Sequence, residues 1–188
     1  MMPEFIDFTK SLFPSIDPYI ADEVKESLKQ FEENGGRYKC FTNHSFSFLS
    51  QGDILDKLKF IKISEGGQII EKELKALLLS NTCDAENDDV LLFAPLIPLA
   101  NLKVNHDTLK KNRIYKLLYF PGHRYDDYVV DLSLVSSFSK GLINKLLNNE
   151  IIQKEASLSD FGYYLFLAKL TVHFMRPEDT EVQEMREV

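Results

Sequence analysis

The sequence predicts an α+β protein with a small, strongly bent antiparallel sheet in its centre and helices at both ends. Apolar runs typical of strands cluster in the middle of the chain, and apolar residues at helical spacing lie near the termini. The alternative is an open mixed sheet with helices on one face. We expect a single domain, 1–188, with an N-terminal helical segment (1–36), a β core (37–135), C-terminal helices (136–176) and an acidic tail (177–188).

The first helix is predicted to begin at Asp17-Pro18, because Asp can cap a helix and Pro suits its first position. Four apolar residues then recur at helical spacing on one face: Ile20, Val24, Leu28 and Phe31. Asn34-Gly35-Gly36 is predicted to end this helix.

The clearest core strands are Leu74–Ser80 and Val90–Leu99, which a short acidic loop joins. This connection predicts an antiparallel pair. Pro95 and Pro98 predict an edge or a bulge in the second strand, because proline cannot donate to a sheet ladder. Further strand-like segments are 38–48, 54–63, 114–120 and 128–132.

Two helices are predicted after the strands. The first covers Lys140–Asn149, and Ser157 or Ser159 caps a longer one that ends at Pro177. One face of the longer helix is apolar, with Phe161, Tyr164, Leu165, Ala168, Val172 and Met175 at helical spacing.

The charge, the cysteine count and the apolar runs of the sequence argue against several classes of function and location. The net charge of -7 and pI near 5.2 argue against broad phosphate binding, so we do not expect a nucleic-acid partner. Two cysteines, Cys40 and Cys83, are too few for a disulfide framework, which favours a reduced cytoplasmic location. The chain shows no signal peptide and no apolar run of membrane-spanning length, so no membrane association is expected. We expect no cofactor.

The best candidate site is the loop Ser80–Asp84, where Asn81, Thr82, Cys83 and Asp84 follow a buried strand. Cys83 could act as a nucleophile if a histidine activated it. The alternative is structural: Thr82 and Asp84 cap a turn, and Cys83 packs inward as a small apolar side chain.

His123 and Arg124 form a second candidate, in a predicted turn. They could bind an anion or meet the Cys83 loop, and the alternative is that His123 is an exposed turn residue. No metal site is predicted, because the four histidines form no zinc motif. The acidic run 84–89 also fails the calcium-loop pattern, since Asp89 and Pro95 occupy the positions that require glycine and glutamate.

Three segments occur in an order that resembles the MazF/PemK toxin superfamily: Gln51-Gly52-Asp53-Ile54, Ala76-Leu77-Leu78-Leu79-Ser80 and Ala94-Pro95-Leu96-Ile97. The resemblance covers residues 51 to about 135 and implies a small SH3-like barrel. The Ser80–Asp84 loop and the Phe174-Met175-Arg176 helix end also look similar to uncharacterised bacterial proteins with a Ser-x-Thr-Cys-Asp loop.

The chain departs from that superfamily where the nuclease activity resides. The resemblance places Leu74 and Ile97 where the family has an Arg and a Thr or Ser that serve RNA cleavage, and Lys75 replaces a proline. Aliphatic side chains can neither transfer a proton nor stabilise a phosphorane oxyanion. The resemblance therefore implies the barrel without the nuclease chemistry.

The first hypothesis for function is a non-catalytic interaction module that binds a protein partner in a bacterial cytoplasmic complex, with a link to defence or toxin–antitoxin systems implied by the resemblance. One alternative is an enzyme or small-ligand-binding protein that uses the Ser80–Asp84 loop with Cys83. Another is a MazF-like endoribonuclease toxin. The oligomeric state is not predicted.

Overall fold

The computed structural model describes residues 39–42, 46–122, 124–175 and 179–186. Seven strands lie in this part of the chain: β1 (Ile54–Ile63), β2 (Ile69–Leu78), β3 (Val90–Pro98), β4 (Leu117–Leu118), β5 (Tyr128–Asp131), β6 (Ser136–Ser139) and β7 (Lys154–Ala156). The helices in it are α1 (Thr82–Asn87), α2 (His106–Lys110), α3 (Lys140–Asn148), α4 (Asp160–Met175) and α5 (Thr180–Arg186).

The strands form one open sheet in the order β4-β5-β3-β2-β1-β7, and β6 also pairs with β3. Every pairing between the described strands is antiparallel. The predicted α+β class with an antiparallel sheet is therefore confirmed. The sheet is not closed into the barrel that the resemblance implied, since β4 and β7 do not pair, and it is not the mixed sheet of the alternative.

Strand β3 occupies the centre of the sheet because it has partners on both edges. One edge pairs with β2, and the other pairs first with β6 over 90–93 and then with β5 over 96–98. The edge position predicted from Pro95 is wrong. Pro95 instead lies between the β6 and β5 pairings, where a missing N–H breaks neither ladder.

The two faces of the sheet carry separate cores. Because side chains alternate along a strand, Leu77 and Ala94 face α4, whereas Leu78 and Phe93 face the opposite side. On that opposite side Ile143 of α3 completes the core. A third, smaller cluster joins Leu99, Leu109, Leu117, Tyr119 and Val129 near β4 and β5.

Helix α4 is fixed where it begins. Ser159 caps it as predicted, since its Oγ accepts the Gly162 N–H at 3.2 Å and donates to the Lys39 carbonyl at 2.6 Å. A Cβ at Gly162 would lie 2.1 Å from the Cys40 carbonyl oxygen, so only glycine allows this approach. Burial raises the pKa of the Cys40 thiol to about 12.

The structure also revises several sequence predictions. Strands β6 and β7 lie inside the segment 136–176 that was expected to be helical, and the predicted acidic loop forms α1. The predicted strand 114–120 is reduced to two residues, β4. Both strands of the 136–176 segment are short and partly polar, which hides the alternation that marks a strand. The predicted helix between Asp17 and Gly36 lies outside the described residues.

Candidate interaction arm

The polar side chains of the Ser80–Asp84 loop bond mostly to backbone. Asn81 caps α1, because its Oδ1 accepts the Cys83 N–H at 3.0 Å. The Thr82 Oγ1 accepts the Gln51 N–H at 3.0 Å, and the Ser80 Oγ accepts the Leu92 N–H at 2.9 Å. The Thr82 and Ser80 contacts hold the loop against its neighbours, and the residue that caps is Asn81 in place of the Thr82 and Asp84 of the structural alternative.

Cys83 itself does not follow the structural alternative. It lies in the first turn of α1 and is exposed, so the expected inward packing is wrong. The reason is the helix: the face of α1 that meets the core presents Ala85. Asp84 is also exposed.

The second predicted pair is described only in part, since His123 lies outside the described residues. The Arg124 guanidinium lies 5.6 Å from the centre of the Tyr125 ring. The Tyr125 Oη donates to Glu155 Oε2 at 3.1 Å, and Glu155 also forms an ion pair with Lys75. Burial, followed by the Glu155 charge, raises the pKa of Tyr125. Arg124 thus contacts a network of polar side chains formed by Tyr125, Glu155 and Lys75. The contacts given above for the Ser80–Asp84 loop involve none of these residues.

A buried ion pair fixes the point where β1 begins. Asp53 is fully buried, and its carboxylate accepts from Lys154 Nζ at 2.7 Å and from Ser157 Oγ at 2.6 Å. Ser50 donates both its N–H and its hydroxyl to the same carboxylate. Because Lys154 also donates to the carbonyls of Phe46 and Phe48, both charges are well bonded. The Gly-Asp-Ile motif therefore has a structural role that sequence reasoning missed.

Within the described ranges, no three His, Cys, Asp or Glu side chains come together as a metal site would need. Helices there are also too short or too polar to span a bilayer.

The feature that sequence reasoning did not find is the far half of the β1–β2 hairpin. A β-bulge separates it from the near half, because Asp56 and Lys57 of β1 together oppose one residue of β2, and Lys57 has a φ of 51°. Beyond the bulge, residues 59–73 form what we call the arm. From 61 to 73 its residues are exposed, except for the half-buried Ser64 in the turn.

The arm is a two-stranded ribbon with an ordered turn. The Ser64 N–H donates to the Gln68 carbonyl at 2.9 Å, and the Gly67 N–H donates to the Ser64 carbonyl at 2.9 Å. Gly67 has a φ of +78°, which glycine adopts without strain. At the other end Phe60 packs edge-on against Phe138 and connects the arm to the core.

The two faces of the arm differ in chemistry. One face carries Ile61, Ile63 and Ile69, whose exposed fractions are 63%, 69% and 72%. We call these three residues the Ile face. Next to them the Lys59 Nζ lies 2.8 Å from Glu71 Oε1, as the register requires of side chains on one face. The other face carries Lys62, Ile70 and Lys72 beyond the buried Phe60.

The outer edges of the arm have no strand partner among the described residues, because β7 pairs only with 54–55 and β3 only with 76–78. Ser64 and Gln68 form a hydrogen-bonded pair, and such pairs alternate along an antiparallel ladder with pairs that are not hydrogen-bonded. The outward N–H and C=O groups therefore belong to Lys59, Ile61 and Ile63 on β1, and to residues 69, 71 and 73 on β2.

No protein-family model matches the sequence, and a search of curated proteins finds no match. Among solved structures, the MazE–MazF complex from Deinococcus radiodurans is similar, with a TM-score of 0.40 and 12% sequence identity. The match covers 69% of this chain and 99% of that chain. It is a distant resemblance of fold, and it assigns no family to the chain.

Proposed function

We propose that this protein is a non-catalytic interaction module and that the arm is the element that docks a protein partner. The observation that carries the proposal is the Ile face, three large apolar side chains that are each more than three-fifths exposed at the end of a projecting hairpin. Contiguous exposed apolar surface marks interaction sites, whereas single exposed apolar residues are ordinary.

The way the arm is built supports this role. An isolated two-stranded hairpin is marginally stable in water, so an exposed one needs a rigid base. Here the base is the buried half of the same two strands, where Ile54, Leu55, Leu77 and Leu78 are fully covered. The arm is thus held by a packed core while its apolar side chains remain available for a partner.

The positions implied for nuclease chemistry favour the same proposal. Leu74 and Ile97 are half-buried aliphatic residues that pack against the second and third core clusters. We propose that neither takes part in RNA cleavage, and that a link to toxin–antitoxin systems would lie in binding. Purified protein should leave RNA intact, and its expression should not arrest growth. RNA cleavage that purifies with the protein would contradict this.

The test of the arm compares two variants at native expression level in the source organism. The first, Ile61→Thr/Ile63→Thr/Ile69→Thr, removes the Ile face and keeps β-branched side chains that suit a strand. The control, Val90→Thr/Ile151→Thr, removes apolar side chains that are 51% and 53% exposed elsewhere. Partners captured by crosslinking are quantified by mass spectrometry and then tested for direct binding as purified proteins.

We expect one or more direct partners to bind the wild type and the control equally and to lose binding to the arm variant. If the arm variant binds the same purified partners with unchanged affinity, the arm is not the docking element and the proposal fails.

A second candidate function remains, a site built on Cys83, and the exposure of this thiol favours it over a structural cysteine. The measurement is the rate of native-state labelling across pH 5 to 9, with Cys83→Ser as the control for Cys40. A labelling pKa well below about 8.5 would indicate an activated thiolate. A labelling pKa near that value would make Cys83 an ordinary surface cysteine and would remove this candidate.

A further inference from the structure

The outer edge of β1 in the arm, which has no strand partner in the described part of the chain, suggests what it pairs with. We propose that this edge joins the same edge of a second copy of the chain, antiparallel, with Ile61 opposite Ile61. The inference rests on the proposed function for its biological role, and its geometry stands on the arm alone.

The backbone of β1 favours this pairing. The outward-facing N–H and C=O groups of β1 belong to Lys59, Ile61 and Ile63, which are spaced evenly around Ile61. A two-fold axis at Ile61 therefore places each of these residues opposite another of the three, so all their outward groups bond across the interface. If the two-fold axis lay at Phe60 or at Lys62 instead, one of the three residues in each copy would not face any of the three residues in the other copy. Its outward N–H and C=O groups would then lack a partner.

The charged side chains along β1 favour the same register. In the register centred on Ile61, Lys59 faces Ile63 of the second copy, and Lys62 faces Phe60, so no like charges lie directly opposite. Continuing the register brings Glu65 in the turn toward Lys57 of the second copy, which are unlike charges. The edge is thus complementary to itself.

The outer edge of β2, in contrast, is not complementary to itself. Its outward groups belong to residues 69, 71 and 73, so the corresponding two-fold register is centred on Glu71. That register puts two Glu71 carboxylates opposite one another, which is destabilising. Pairing β1 of one copy with β2 of the next would be head-to-tail and would continue into an open chain of copies.

The dimer has a consequence for the docking surface. Neighbouring antiparallel strands are related by an axis perpendicular to the sheet, so the Ile faces of both copies lie on the same side. The two arms then form one four-stranded sheet with six exposed isoleucines on one face.

The experiment uses the full chain, with no partner present. Sedimentation equilibrium over a concentration series should show a monomer–dimer equilibrium for the wild type. Ile61→Lys places like charges at the centre of the register and should abolish the dimer. Ile69→Lys adds the same charge to the same face on β2, and it should leave the dimer intact.

The register is tested by crosslinking in the Cys83→Ser background. Under mild oxidation, Ile61→Cys should form a disulfide-linked dimer, because directly opposed residues in this register lie within disulfide distance. Glu71→Cys, on the same face of the other strand, should remain uncrosslinked. Circular dichroism confirms that each variant is folded.

Three results would overturn the inference: a wild type that is monomeric at every concentration, a dimer lost in Ile69→Lys but kept in Ile61→Lys, or oligomers that grow beyond the dimer. If the dimer is absent while partner binding still depends on the Ile face, this inference fails and the proposed function stands. If the dimer forms and no partner depends on the arm, the proposed function fails and this inference stands.

Discussion

The two halves of the β1–β2 hairpin share the same strands and the same ladder, and they differ in almost everything else. In the near half Ile54, Leu55, Leu77 and Leu78 are fully buried, and both sheet faces are covered. In the arm, Ile61, Ile63 and Ile69 are equally apolar and mostly exposed. The comparison teaches that the apolar residues of the near half stabilise the fold, whereas those of the arm are available for binding.

The largest expected effect is in the near half. Asp53→Ala would leave the partly buried Lys154 ammonium without its carboxylate and Ser157 without its acceptor. Removing one partner of a buried pair destabilises a protein by about 3–5 kcal/mol. We expect a loss of this size in the free energy of unfolding from urea denaturation. A loss below about 1 kcal/mol, in the range of exposed ion pairs, would mean that the pair does not anchor the sheet.

A pH dependence should come from Lys169 of α4. It is 6% exposed and donates to the carbonyls of Asn112 and Ile114, each at 2.7 Å. Burial lowers its pKa from 10.5 to about 8, so between these values the unfolded state binds more protons than the folded state. The free energy of unfolding should therefore rise with pH across this window, by up to about 3 kcal/mol at 1.36 kcal/mol per pKa unit.

The control for that prediction is Lys169→Met, which removes the titrating group. Cys40, Tyr119 and Tyr125 contribute the opposite slope at high pH, because their folded pKa values are raised, but they do so in both proteins. The difference between wild type and variant isolates Lys169. Parallel curves for the two proteins between pH 8 and 10.5 would contradict the prediction.

The close approach of α4 to Cys40 gives a smaller effect. Gly162→Ala places a Cβ against the Cys40 carbonyl and should destabilise by about 1–3 kcal/mol, as overpacking does. Gly141→Ala, in α3, meets nothing nearer than 3.7 Å and should be neutral or slightly stabilising. Thermal unfolding of the two variants measures the difference. Equal melting temperatures would contradict the close contact between Gly162 and the Cys40 carbonyl.

The smallest stability effect is expected in the arm. In the monomer, at a protein concentration too low for the proposed dimer to form, Ile61→Thr alone should change the free energy of unfolding by no more than about 0.5 kcal/mol, as surface substitutions do. A core-sized loss would mean that Ile61 is covered by part of the same chain. Comparison of the losses in the free energy of unfolding for Ile61→Thr and Asp53→Ala decides whether the two halves of the hairpin differ in their contribution to stability as they differ in burial.

The sequence predicted those elements whose signals are local. Ser159 is recognisable as a cap, and Val90–Pro98 as a strand, because both depend on neighbouring residues. The arm was not predictable in this way. Its alternating isoleucines and charged residues resemble those of any half-buried strand. Only the tertiary structure shows that Leu58 and Phe60 are the last residues of β1 that the core covers. Of the two alternatives for Cys83, the inward packing is not found, because α1 replaces the expected loop and turns Ala85 toward the core.

The bulge at Asp56 and Lys57 also has an evolutionary consequence. It divides one hairpin into a buried part, from which we expect the folding stability to come, and an exposed part, from which we do not. Substitutions in the arm leave the protein above the stability that it needs to remain folded, so few of them are removed by selection for folding. If the proposed docking role holds, the arm can therefore exchange its side chains as a partner changes, while the core from which it projects stays the same.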